Sequence, residues 1–124
     1  MRTRTKLHLL GCIGCLFWTL SIQTSQAATR WQGHYYEYVP VLCTWDQAYA
    51  WTSSINLDGY PGHLAIVTSA AENSFISSLV PSGGYAFLGG TDSAQEGTWV
   101  WLGGLETGTV FWKDGAPYGN AYTS

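Results

Sequence analysis

The chain has 124 residues and is 46% hydrophobic and 15% aromatic but only 10% charged, which is enough for one small domain held by burial rather than by surface ion pairs. Beyond residue 27 two basic residues, Arg30 and Lys113, face eight acidic ones, a net of −6. Such a chain has no basic face for phosphates, and nucleic acid is excluded as a partner.

The N-terminus reads as a secretory signal. Arg2, Arg4 and Lys6 precede an apolar stretch from Leu7 to Ile22, and Ser25-Gln26-Ala27 puts small residues at the spacing of a cleavage site. Read as a membrane anchor, the stretch is diluted by Thr19, Ser21 and Gln23 and falls short of the about 20 residues a span needs. Leu9-Leu10-Gly11-Cys12 also looks like a lipoprotein signal with Cys12 as the acylated residue, but too little apolar sequence precedes it. Cleavage after Ala27 is therefore the expectation, leaving residues 28–124 as a domain that is secreted or held at the cell surface or in the periplasm, with no membrane span. Cys12 and Cys15 leave with the leader, and Cys43 remains alone. No internal disulfide can form, which is unusual for a small secreted domain. Cys43 reads as a small buried apolar residue, because neither a base nor a metal-binding partner accompanies it.

Residues 28–32 read as a short linker carrying Trp31. Residues 33–39 alternate as a strand, with His34, Tyr36 and Tyr38 on one face and Tyr35, Glu37 and Val39 on the other; Pro40 ends it. A histidine among strand tyrosines reads as a packing residue. Thr44-Trp45-Asp46-Gln47 predicts a capped helix start, in which Thr44 and Gln47 serve each other's backbone. Ala48, Trp51, Thr52 and Ile55 then recur at helical spacing and gather with Trp45. Asn56, Asp58, Gly59, Pro61 and Gly62 break that helix. Residues 63–67 read as a strand or extended lead-in. Ser69-Ala70-Ala71-Glu72 repeats the capping pattern, Ala71, Phe75, Ile76 and Leu79 supply a second apolar face, and Pro81 to Gly84 end it. Both helices are short and must draw their stability from packing.

Two apolar runs follow, Tyr85–Leu88 and Thr98–Leu102, rich in aromatic and β-branched residues and bounded by glycines. Neither alternates with polar residues, which predicts strands covered on both faces. Between them a loop presents Asp92 and Glu96, framed by Gly89, Gly90 and Gly97. Carboxylates on such a loop suit a hard cation, and Ca²⁺ takes about six to eight oxygens. They equally suit a plain loop in which Asp92 caps the backbone through an Asx-turn and Glu96 is solvated. A strand over residues 109–113 comes next, and residues 114–124 read as loop.

These segments together resemble the C-type lectin-like domain. Thr44-Trp45-Asp46-Gln47-Ala48 is similar to the family's first-helix opening, and residues 62–73, Gly-His-Leu-Ala-Ile-Val-Thr-Ser-Ala-Ala-Glu-Asn, to its lead into the second helix. Phe87-Leu88-Gly89-Gly90 stands where the family has Trp-Ile-Gly-Leu. Gly97-Thr98-Trp99-Val100-Trp101 resembles the core tryptophan strand, and Phe111-Trp112 also fits. The resemblance covers residues 33–124. It implies an α+β fold of two short helices on small antiparallel sheets, and a carbohydrate-binding module assisted by calcium. It also implies that Asp92 and Glu96, four residues apart, are ligands of an auxiliary calcium site. The family's half-cystine near the end of the first helix looks like Thr52 here. The Glu-Pro-Asn or Gln-Pro-Asp tripeptide and the Trp-Asn-Asp segment of its principal sugar site do not occur. The expectation is a partial domain with an incomplete ligand loop, whose sugar class is not legible.

The partner is then a glycan or cell-surface carbohydrate. The alternative is a protein ligand bound without calcium by an interaction or adhesion module on the same fold. Enzymatic function is not expected: no nucleophile, base and orienting group stand at a recognisable spacing, and no glycine-rich run leads a strand into a helix to cradle phosphate. Of the mature tryptophans, Trp45, Trp51, Trp99, Trp101 and Trp112 read as core, and only Trp31 as exposed.

Overall fold

In a computed structural model that describes residues 6–10, 28–57 and 59–119, the α+β class expected from the sequence forms, with two α-helices set among short strands. The first strand, β1 (Lys6–Leu10), runs parallel to two later ones. It falls inside the segment read as a leader, and its pairing is that of the uncleaved chain. The rest of that segment lies outside the described residues.

The stretch expected to be a linker is instead a strand, β2 (Thr29–Trp31), paired antiparallel with β3 (His34–Tyr38). Gln32 and Gly33 both have positive φ, 46° and 84°, which a two-residue hairpin of right-handed twist requires. Trp31 does not stand free in solvent: it stacks on Phe75 at 5.1 Å. In β3 the expected alternation holds, with Tyr36 and Tyr38 buried.

Helix α1 (Trp45–Ser53) starts where Thr44 predicted. Its hydroxyl accepts from the Gln47 N–H at 3.2 Å, while Gln47 Oε1 accepts from the Thr44 N–H at 2.9 Å. Ala48 and Thr52 face inward, but Trp51 is 44% exposed, so the expected apolar face is narrower. Tyr49 joins it, stacked on Trp45 at 5.1 Å. After α1 a small hairpin, β4 (Asn56–Leu57) with β5 (Tyr60–Pro61), leads into β6 (His63–Leu64).

Helix α2 (Ala70–Leu79) carries half of the expected capping box. Ser69 Oγ accepts from the Glu72 N–H at 3.1 Å. The Glu72 side chain, however, turns away from the cap and inward, where Tyr36 Oη donates to it at 2.7 Å and the Thr68 N–H and hydroxyl donate at 2.7 and 2.8 Å. Three donors satisfy a buried carboxylate that would otherwise be costly. Ala71, expected on the apolar face, is exposed.

Tyr85–Leu88 runs without a ladder, and Tyr85 is 75% exposed. The strand here is only β7 (Gly90–Thr91), paired with β8 (Thr98–Trp101). What the glycine pair provides is a close crossing. Gly89 donates to Ala65 O at 2.8 Å and accepts from the Leu102 N–H at 2.6 Å, and a Cβ there would sit 2.7 Å from Leu102 O. A 3₁₀ turn (Gly104–Glu106) precedes β9 (Val110–Lys113). The tail read as loop adds one more strand, β10 (Ala116–Pro117), through a turn at Asp114 and Gly115 with φ of 52° and 79°.

The strands make one sheet in the order β2-β3-β1-β6 and another in the order β10-β9-β8-β7. Between them lies a core of Tyr36, Tyr38, Ala65, Ile66, Val67, Ile76 and Trp101. A second cluster around Ala48 and Leu64 takes in Trp45, Tyr49, Phe87 and the partly buried Cys43. Among the described residues no helix is long and apolar enough to cross a membrane.

Candidate ligand-binding site

The loop joining β7 to β8 is closed by its own groups. Gln95 N–H donates to Asp92 O at 3.0 Å, Thr98 N–H to Gln95 O at 3.0 Å, and Gly97 N–H to Asp92 Oδ2 at 3.2 Å. Gly97 takes a φ of 77° to make the turn, a conformation that costs an L-residue about 1–2 kcal/mol. Asp92 is thus half-buried and bound to its own loop, whereas Glu96 projects into solvent.

The two carboxylates together supply four oxygens, fewer than the about six to eight that Ca²⁺ takes. Among the described residues, no three His, Cys, Asp or Glu side chains gather so as to hold a metal ion. The side chains present therefore supply only part of a calcium cage.

Beside this loop opens a cleft of about 580 Å³ with a mostly aromatic wall. Trp101 and Phe111 form one side, stacked at 3.7 Å and 12°. Gly90 belongs to the same wall because a Cβ there would come within 2.8 Å of the Phe111 ring. Phe87 and Trp45 also line the cleft, and the Trp45 indole N–H donates to Leu88 O at 2.8 Å and so holds α1 to it. Thr91 and Asp92 bring the polar groups, and Trp99 completes the lining.

Trp101, 2% exposed, is the core residue expected of it. Trp99 and Trp112 correct the expectation of burial, at 38% and 36% exposed. They are cross-strand partners in the β8–β9 register, beside a bulge at Trp99/Val100, and directly opposed residues share a face. The Trp99 end of β8 is therefore open rather than covered, although Trp99 and Trp101 line the same cleft. Tryptophans at alternate positions, 99 and 101, gave no polarity contrast by which a reader could tell wet from dry. The usable signal was the position of Trp99 two residues after the Gly97 turn.

His63 is buried, with Nδ1 2.8 Å from Leu64 O. Gly103 packs against its ring so closely that a Cβ would lie 2.8 Å from Cγ. It is a packing histidine. Tyr36 is held neutral: burial, then the hydrogen bond to Glu72, then the charges of Glu72 and Glu106 push its hydroxyl far above the ordinary tyrosine range.

A family model described as the lectin C-type domain matches residues 41–122. Among curated proteins, halomucin of Haloquadratum walsbyi (strain DSM 16790 / HBSQ001) is 35% identical over 97 residues, 78% of this chain and 1% of the relative. C-type lectin domain family 17, member A of Homo sapiens is 34% identical over 86 residues, 69% of this chain and 21% of the relative. The chain thus spans only a small part of the length of either. No solved structure matches at a significant level. The family match takes in both helices, the glycine crossing, the Asp92 loop and the tryptophan strands, and on that extent the chain belongs to the lectin C-type domain family.

Proposed function

We propose that the chain is the carbohydrate-binding module of an exported protein and that calcium assists it. The family match supports a binding fold, of the kind that takes carbohydrate or protein ligands. The observation that favours carbohydrate is the aromatic cleft beside a carboxylate loop, since sugars offer apolar ring faces edged by hydroxyl donors. Asp92 and Glu96 are the proposed calcium ligands, with the remaining oxygens coming from loop carbonyls, water or other groups. Residues 1–27 are the proposed leader. The test is a glycan array probed with the 124-residue chain in calcium and again in EDTA. Retention of a defined glycan class in calcium supports the reading; retention of none in either condition ends it.

A calcium-independent protein-interaction module is the second reading. Exposed Trp51, Tyr85 and Leu105 favour it, because apolar groups this open to water are candidate contacts.

A further inference from the structure

We infer that the cleft between α1 and the β7–β8–β9 sheet is itself a sugar subsite that works without metal, in which Trp99 stacks on a neutral pyranose and Asp92 accepts from its hydroxyls. The inference rests on the carbohydrate reading and narrows it. Trp99 lines the cleft and is nevertheless 38% exposed, so it offers indole surface that no protein group covers. Its register partner Trp112, 36% exposed, lies beside it on the same face of the sheet. A second ring of an oligosaccharide has indole surface there on which to continue.

The charge of the lining selects the ligand class. Asp92 is its sole ionisable group, and no Lys, Arg or His contributes. An anionic ligand such as a sialylated or sulfated glycan would meet repulsion without compensation. A purely apolar ligand would strand the Asp92 carboxylate against hydrocarbon. A neutral polyol meets neither penalty, since it presents C–H to the indole and O–H to the carboxylate. The Gly97 N–H on Oδ2 holds that carboxylate in place before any ligand arrives, which lowers the ordering cost of binding. Thr91 adds a hydroxyl to the lining.

The experiment titrates the 124-residue chain, in EDTA, with the neutral β1,4-linked tetrasaccharides of glucose, mannose and N-acetylglucosamine, reading tryptophan fluorescence. At least one should change the emission. Trp99→Ala should weaken that ligand about tenfold, the scale of one stacked ring. Trp112→Ala should weaken the tetrasaccharide more than the monosaccharide, and Asp92→Asn should weaken both. Near-UV circular dichroism from buried Trp101 checks that the variants are folded. Should Trp99→Ala misfold, saturation-transfer NMR on the unaltered chain replaces it: irradiating aromatic protons must transfer saturation to the sugar ring protons. Absence of that transfer, silence of all three sugars in EDTA, or a folded Trp99→Ala that binds unchanged would each overturn the inference. Calcium-dependent array binding indifferent to Trp99→Ala would overturn it while leaving the carbohydrate reading standing. An array empty in both conditions would end both.

Discussion

The Tyr36 hydroxyl donates to Glu72 Oε1 at 2.7 Å across 36 residues of chain, tying strand β3 to the first turn of α2 in the centre of the core. Tyr36→Phe leaves the ring packing but removes the bond, at a cost of about 1.5–3 kcal/mol, the range for a hydrogen bond to a charged group. The same pair gives a pH dependence of definite sign. Below about pH 10 Tyr36 is neutral in both native and unfolded chains, and its contribution is intact. Above that the unfolded tyrosine ionises while the native one stays protonated, so stability falls as pH rises. Urea midpoints measured from pH 8 to 11 should fall more steeply for the unaltered chain than for Tyr36→Phe; parallel slopes would refute the assignment.

Trp101 and Trp99 are two residues apart on one strand and should behave oppositely. Trp101, 2% exposed and stacked on Phe111, should cost about 3–5 kcal/mol when changed to Ala. That is a large share of the about 5–15 kcal/mol that holds a domain of this size. Trp99→Ala should shift stability by only about 0.5 kcal/mol, as open surface positions do. Chemical denaturation of both variants checks the contrast, and equal losses would mean that Trp99 is packed as Trp101 is.

Gly103 has φ 133° and ψ 151°, a region essentially restricted to glycine, and it lies against His63. Gly108, at φ 86°, has nothing within 4 Å of a would-be Cβ. Gly108→Ala should cost about 1–2 kcal/mol from backbone strain alone. Gly103→Ala should cost about 2–5 kcal/mol, since overpacking adds to strain. Thermal melts of the pair isolate the packing share, and a Gly103→Ala no worse than Gly108→Ala would show that the His63 ring moves aside freely.

Asp92→Ala removes the acceptor for the Gly97 N–H and should cost about 0.5–1.5 kcal/mol. If Asp92 and Glu96 ligate calcium, calorimetry on the 124-residue chain should find binding at about 10⁻³ M or weaker, and Asp92→Ala should abolish it. Calcium heat that survives both Asp92→Ala and Glu96→Ala would move the ion elsewhere.

The leader reading is checked on the exported product by mass spectrometry. An N-terminus at Ala28 is the expected result, and a lipid-bearing Cys12 would replace it with the lipoprotein alternative.

The features legible in the sequence were those decided within a few residues. Thr44 and Gln47 cap α1 through groups three residues apart, and Ser69 finds the Glu72 N–H in the same way. Asp114-Gly115 was equally local but went unread, because the strand it introduces is only Ala116–Pro117. Glu72 looked like a cap partner until Tyr36, distant in sequence, claimed its carboxylate. Burial of the strand aromatics was the least legible. Whether Trp99 is wet depends on what lies over the sheet, and nothing in Thr98-Trp99-Val100-Trp101 encodes that. Asp92 and Glu96 stood out by their place on a glycine-framed loop; Asp92 does cap that loop, but through the Gly97 N–H five residues on rather than the two-residue reach of an Asx-turn.

The cleft is also a seam. Trp45 and Phe87 belong to the cluster around Leu64, and Trp101 and Phe111 pack with the main core. A molecule lodged between them touches both bodies at once and acts as a wedge that fixes their spacing. Occupancy at a hundredfold excess over Kd should therefore raise the unfolding free energy by about 2.7 kcal/mol. The coupling runs in the other direction too. Ala48→Gly, which loosens α1 from a position outside the lining, should slacken the Trp45 wall and weaken a ligand it never meets.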